Sequence, residues 1–228
     1  MKRAGRKIVG VVAWDTQIAQ IADRAGVDLV SVGDSVGKNL WGHATEDEIT
    51  LEEMLIVCKA VRRGVQRAVL SCDPPARQQD VQACLRLKDA GADMVKLLGS
   101  ADLVRTVVRA GIPVFAEFHG GKDEAAMLVE HARRLEDAGA SLLDFRHSGP
   151  VAGEAVARAV KIPVIGGLGG GPWLDGRMRM AHAAIGYAFT NLDSRNETYA
   201  NVAQITLDAL TAYAEDVRAP RQIKGQRA

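Results

Sequence analysis

The sequence predicts an α/β protein closed into a (β/α)8 TIM barrel. Three observations carry this. Short apolar runs alternate with amphipathic helical patterns along most of the chain. One junction recurs, in which glycine closes a helix and a strand begins. It occurs at Ala25-Gly26-Val27-Asp28, Ala90-Gly91-Ala92-Asp93, Ala110-Gly111-Ile112-Pro113 and Ala138-Gly139-Ala140-Ser141. No GxGxxG fingerprint marks an open, dinucleotide-binding sheet. The strands are near-continuous apolar runs, the pattern of a parallel sheet buried on both faces. Eight βα units, repeating about every 20–40 residues, favour a closed barrel.

In order, the first strand is expected over Lys7–Ala13. The basic start, Met1 to Lys7, precedes an apolar run that Asp15 ends too early for a signal peptide. Further strands are expected over Leu29–Gly33, Ala68–Asp73, Met94–Leu98, Pro113–His119, Leu142–Arg146 and Pro163–Leu168. Tyr187–Asn191 is the eighth. Helical periodicity marks Thr16–Ala25, Leu51–Gly64, Arg77–Ala90, Ala101–Ala110, Asp123–Ala138 and Val151–Val160, then Leu174–Ile185 and Glu197–Val217. The glycine-rich run Gly166-Gly167-Leu168-Gly169-Gly170-Gly171 reads as close packing, or approach to a ligand, at the exit of the seventh strand. Residues 1–228 are expected to form one barrel domain, with a frayed polar tail after Pro220.

Composition narrows the class. The chain has 228 residues, 47% hydrophobic and 25% charged, enough for a full core on a soluble surface. A net charge of +1 gives no electrostatic case for nucleic acid or an anionic membrane. No apolar run approaches the roughly 18 residues that span a bilayer. Cys58, Cys72 and Cys84 are odd in number and lack CxxC spacing, so a disulfide framework or zinc site is not expected, and a reducing cytoplasm fits.

The functional signal lies at strand ends. Val30-Ser31-Val32 runs into Gly33-Asp34-Ser35, and Ala68-Val69-Leu70-Ser71-Cys72 runs into Asp73. Strand side chains alternate faces, so Met94, Lys96 and Leu98 share one face, as do Phe115, Glu117 and His119, and Leu142, Asp144 and Arg146. Barrel active sites form at the C-terminal strand ends, where Asp34, Asp73, Lys96, Glu117, His119, Asp144 and Arg146 all fall. Two carboxylates, water and a bidentate 2-oxo acid would complete a magnesium site. The metal would polarise the keto group, a base would remove the neighbouring proton, and Lys96 or Arg146 would pair with the substrate carboxylate. Plainer roles compete: Asp34 and Asp73 as helix N-caps, Lys96 as a snorkelling rim residue, Asp144 and Arg146 as an internal ion pair. His43, His131, His147 and His182 read as structural or exposed; Trp14, Trp41 and Trp173 read as core or loop anchors.

The stretch Asp28-Leu-Val-Ser-Val-Gly-Asp-Ser-Val-Gly37, with Thr50-Leu-Glu-Glu-Met54 and Lys59-Ala-Val-Arg-Arg-Gly64, resembles the ketopantoate hydroxymethyltransferase family. So do Ala90-Gly-Ala-Asp-Met-Val-Lys-Leu97, Pro163-Val-Ile-Gly-Gly-Leu-Gly-Gly-Gly-Pro172, Asp175-Gly176 and His182. The family belongs to the phosphoenolpyruvate mutase/isocitrate lyase superfamily of barrels. The resemblance implies a magnesium-dependent enzyme that transfers a one-carbon unit from methylene-tetrahydrofolate to a 2-oxo acid. It implies Asp34 and Asp73 as metal ligands, Ser35 and Lys96 as substrate contacts and Asp144, aligned with the family's glutamate base, as the residue that moves the proton; Glu117, on the adjacent strand, is the alternative and would replace the acid lost at Leu98. His119 and Arg146 are further candidate substrate contacts. A homo-oligomer is implied, with the final helix as an interface.

The departures are specific. Leu98 stands where the family has a glutamate, and Glu117 where it has a histidine. Asp144 replaces a glutamate, and Arg146 and His147 replace small or apolar residues. The loop after the fifth strand is cut to His119-Gly120-Gly121-Lys122, and Asp73-Pro74-Pro75-Ala76 lacks the family's aromatic. The reading that follows is metal-dependent C–C bond formation or cleavage beside the carbonyl of a 2-oxo acid, through an enolate the metal stabilises. The alternatives are other superfamily chemistry, such as a C–C or C–P lyase, hydrolase or decarboxylase, and a non-catalytic barrel that keeps a ligand pocket.

Overall fold

A computed structural model of the chain describes residues 1–121, 124–169, 171–194 and 197–225. Lys122, Asp123, Gly170, Arg195, Asn196 and the last three residues of the polar tail therefore lie outside the described residues. The described chain divides into two compact units, Met1–Arg179 and Met180–Ala228.

The first unit carries the barrel. Its strands are β1 (Ile8–Val12), β2 (Leu29–Val32), β3 (Val69–Cys72), β4 (Met94–Leu98), β5 (Val114–His119), β6 (Leu142–Arg146), β7 (Val164–Gly166) and β8 (Gly176–Met180), in a closed ring. Neighbours pair in parallel, with Ser31 beside Ser71, Leu98 beside Glu117, Glu117 beside Asp144 and His119 beside Arg146. The helices between them are α1 (Thr16–Ala25), α2 (Leu51–Gly64), α3 (Val81–Asp89), α4 (Ala101–Arg109), α5 (Ala125–Asp137) and α6 (Pro150–Ala159). The TIM-barrel expectation holds.

Local chemistry sets the helix starts. Asp15 accepts from Ile18 N–H at 2.8 Å, Asp80 from Ala83 N–H at 2.8 Å, and Thr50 and Glu53 form a capping box. Asp34 and Asp73 cap none of these helices, so the plainer reading of those two residues fails.

Two expectations about the end of the barrel are corrected. Helical periodicity predicts a helix over Leu174–Ile185, but Gly176–Met180 forms β8, and only Ala181–Ala184 is helical, as α7. Tyr187–Asn191 is not the eighth strand; a 3-10 turn covers Phe189–Leu192. The cause is closure. A Cβ on Gly176 would sit 2.2 Å from the Ile8 carbonyl oxygen and 2.7 Å from Ile8 Cβ. A glycine that a helix tolerates poorly is what this strand needs to meet its neighbour. The start of the expected helix over 77–90 is also corrected: Ala76–Gln78 is a 3-10 turn, and α3 begins after Asp80.

The interior has two apolar layers. The larger one lies between strands and helices and includes Val30, Leu70, Val95, Val114, Leu143 and Phe145. The smaller joins Ile8, Leu29, Met94, Phe115, Leu142 and Ile165, with Met178 against them. These residues have the parity of Lys96, Glu117 and Asp144, so they floor the lumen beneath the charged groups.

In the second unit, α8 (Val202–Arg218) follows α7, and only Ala203 of it is buried. Ile205, Leu210, Tyr213 and Val217 are exposed on it. No described helix is long and apolar enough to cross a membrane. All three cysteines are buried, free thiols.

Candidate active site

The strand alternation that buries Met94, Phe115 and Leu142 carries Lys96, Glu117 and Asp144 to the lumen at the C-terminal end. All three are buried. Lys96 sits at their centre. Its Nζ contacts Glu117 Oε2 directly, lies 3.0 Å from Asp144 Oδ2 and 3.9 Å from Asp73 Oδ2. Its ammonium also lies 5.6 Å above the Phe115 ring, a cation–π contact that links the charged layer to its floor. Beside it, Ser71 and Ser31 hydroxyls bond at 2.8 Å across β2 and β3. Strand parity already placed this serine pair inward, but it was not singled out in the sequence.

Glu117 is fully engaged. Its Oε1 accepts from His119 Nε2 at 2.8 Å and from Arg146 Nη1 at 3.2 Å, while Oε2 faces Lys96. Asp144 differs: its Oδ2 meets Lys96, and no described residue donates to its Oδ1. Asp73 is the most exposed electrostatically to its own kind. Its Oδ1 is buried with no hydrogen-bond partner among the described residues. A Cβ on Gly33 would lie 3.5 Å from Asp73 Oδ2 and 3.6 Å from Ser35 Oγ, so the ends of β2 and β3 converge at that glycine.

The charges follow from this packing. Burial pushes the Asp73 carboxyl well above the usual range; Lys96 opposes this, and Asp34, Glu117 and Asp144 add to it. Burial likewise raises Asp144, against the pull of Lys96. Burial would also raise Glu117, but Lys96, His119 and Arg146 overcome it and bring its carboxyl down to about 2. Burial works against the Lys96 ammonium, yet Asp73, Asp144 and Glu117 outweigh it and keep Lys96 charged.

Of the residues expected from the sequence, Asp73, Lys96, Glu117, Asp144, His119 and Arg146 thus form one connected group, and Ser35 lies by Asp73. Asp34 joins through its charge on Asp73. Leu98 stands 52% exposed next to Glu117, so no acid occupies that position. Among the described residues, no three His, Cys, Asp or Glu side chains form a ready-made metal cluster. The donor set of Asp34 and Asp73 nevertheless fits a hard divalent cation, because it presents a buried Asp73 carboxylate oxygen that no described residue satisfies.

Residues 1–119 and 118–221 match the profile of the ketopantoate hydroxymethyltransferase family. The chain belongs to that family. It is 32% identical over 244 residues to the 3-methyl-2-oxobutanoate hydroxymethyltransferase of Geobacillus kaustophilus, covering 96% of this chain and 87% of that one. Its identity to the enzyme of the same name from Cyanothece sp. is 36% over 248 residues, covering 95% and 93%. The fold is shared more widely. A phosphonopyruvate hydrolase, solved as its complex with oxalate and Mg++, superposes with a TM-score of 0.65 at 13% identity, over 96% of this chain and 85% of that one. A 2,3-dimethylmalate lyase, a PEP mutase/isocitrate lyase superfamily member, superposes with a TM-score of 0.63 at 12% identity, over 99% and 87%. The ketopantoate hydroxymethyltransferase family is an enzyme family, and the resemblance read from the strand-end motifs is thereby established.

Proposed function

We propose that this member of the ketopantoate hydroxymethyltransferase family forms or breaks a C–C bond beside the carbonyl of a 2-oxo acid. The observation that carries this is the pairing at one barrel mouth of an unsatisfied Asp73 oxygen with a partly free Asp144 carboxylate. Asp34 and Asp73 would hold one divalent cation of the magnesium class, which when bound would supply Lewis-acid polarisation of the 2-oxo group. The relatives named for 3-methyl-2-oxobutanoate, and the neighbouring fold solved with oxalate and Mg++, support that chemistry.

Asp144 is the proton carrier. Burial raises its carboxyl above the ordinary carboxylate range, against the pull of Lys96, which strengthens it as a proton acceptor, and no described residue donates to its Oδ1. Lys96 stays an ammonium and cannot act as base; it holds Asp144 and offers positive charge to a developing oxyanion. Ser35 would orient the substrate carboxylate from beside Asp73. Glu117, expected from the sequence as an alternative base, is reassigned. Three donors occupy it and its carboxyl lies at about 2, so it is a poor proton acceptor. It positions Lys96, His119 and Arg146. Methylene-tetrahydrofolate is the one-carbon donor the family implies; formation of tetrahydrofolate on mixing would identify it as this enzyme's co-substrate.

The test is exchange of the proton next to the carbonyl of a 2-oxo acid in D2O, followed by NMR with Mg2+ present. Asp144→Asn should slow exchange by roughly 10²–10⁴. Asp34→Ala and Asp73→Ala should remove its metal dependence. Unchanged metal-dependent exchange in both aspartate variants would end this reading.

A further inference from the structure

The guanidinium of Arg146 has donors the fold does not use. Its side chain is 51% exposed, and its one side-chain partner among the described residues is Glu117 Oε1, reached by Nη1. Arginine carries five N–H groups in a fixed fork. No described residue accepts from its Nε or Nη2.

Its position is built rather than incidental. The pairing of His119 with Arg146 sets both one step above the pair Glu117 and Asp144, at the rim of the mouth. His147 follows with φ 51, a left-handed conformation that a non-glycine residue adopts only when its surroundings hold it there. Its ring lies 5.7 Å from that of His119. Gly120 N–H donates to the Arg146 carbonyl at 2.7 Å, and a Cβ on Gly120 would come within 2.4 Å of the His147 carbonyl oxygen. The loops after β5 and β6 are therefore locked together at close range, which fixes Arg146 and the two imidazoles along one edge.

The charge balance says what that edge suits. Lys96 is held by Glu117 and Asp144 with Asp73 nearby, deep in the mouth beside the proposed reacting centre, so its charge is committed there and not to a second anion at the rim. An apolar substrate branch placed at this edge would strip water from a guanidinium and give nothing back. A carboxylate would take the free side of the fork in two charge-assisted hydrogen bonds.

We infer that Arg146, flanked by His119 and His147, binds a second carboxylate at the far end of the substrate, so that this enzyme acts on a 2-oxo dicarboxylate. The inference rests on the proposed 2-oxo acid chemistry at Asp34, Asp73 and Asp144. It adds the substrate class. Residues Arg146 and His147 set specificity.

The experiment uses the full chain with Mg2+ and two length-matched pairs of probes: 2-oxoglutarate against 2-oxopentanoate, and 2-oxoadipate against 2-oxohexanoate. Enzyme-dependent exchange in D2O gives kcat/KM for each, and calorimetric titration of the unaltered protein gives Kd without any variant. At least one diacid should exceed its monoacid by roughly tenfold or more, mostly in KM. Arg146→Met should bring that ratio close to one, and Arg146→Lys, which keeps the charge but not the fork, should retain part of it. A melting curve for each variant establishes that it is folded, and His147→Ala offers a milder change that should lower the same ratio. Equal handling of diacid and monoacid by the unaltered protein overturns the inference while leaving 2-oxo acid chemistry in place. So does an unchanged ratio in folded Arg146→Met. No exchange with any of the four acids would instead overturn the underlying reading, and this inference with it.

Discussion

Replacing Lys96 by methionine tests the electrostatic design of the site most directly. Methionine keeps much of the length and apolar stem, so the change is chiefly removal of one buried charge. Three carboxylates then face one another without a counter-ion. At an effective dielectric near 20, the gross attraction of the ammonium is about 5.5 kcal/mol for Asp144 at 3.0 Å and about 4 kcal/mol for Asp73 at 3.9 Å, before desolvation is subtracted. Breaking a buried pair by removing one partner costs a net of about 3–5 kcal/mol. For a chain of this size each kcal/mol moves Tm by about 2–4 °C, so Lys96→Met should melt about 6–20 °C lower in EDTA. Divalent cation should restore part of the loss, because Asp73 then gains the positive charge it lacks. Circular-dichroism melts of both proteins, with EDTA and with excess Mg2+, measure both effects. A variant that melts within about 2 °C of the unaltered protein in EDTA would show that the three carboxylates do not depend on Lys96.

Glu117 gives a pH prediction. Its carboxyl lies at about 2 against 4.5 for the unperturbed group, a depressed value, so its stabilisation is fully present above about 4.5 and is lost as pH falls toward 2. The difference corresponds to about 3 kcal/mol; urea unfolding of Glu117→Gln and the unaltered protein should differ clearly at pH 7, and the gap should narrow below about pH 4.5 and close only toward pH 2. Gly176→Ala should destabilise by at least about 1–3 kcal/mol, since the new methyl meets the Ile8 backbone at 2.2 Å; a thermal melt within 1 °C of the parent would mean that β8 closes the ring differently.

Much of the site was legible because strand parity is local information. Lys96, Glu117 and Asp144 sit two residues past Met94, Phe115 and Leu142, so any reading that buries the apolar three carries the charged three inward too. The observed β4 and β6 match their expected ranges residue for residue. What could not be read was non-local. The need for glycine at 176 comes from Ile8 on the far side of the closure, and a window over 174–185 holds no trace of it. The same limit hid the contacts of Glu117: nothing local in its strand announces that His119, Arg146 and Lys96 all reach its carboxylate.

The apolar floor under Lys96 has a consequence for how the site handles protons. Phe115, with Met94, Leu142 and Ile165, stoppers the lumen from below. With that layer beneath them, the acids above settle their proton inventory with one another and with whatever arrives from the open end. A leak in that stopper, such as Phe115→Ala, would therefore do more than loosen the core. By letting solvent reach the carboxylates from beneath, it would draw the affinities of Asp73 and Asp144 back toward those of ordinary surface acids, through a side chain that meets the charged groups only by way of the Lys96 ammonium.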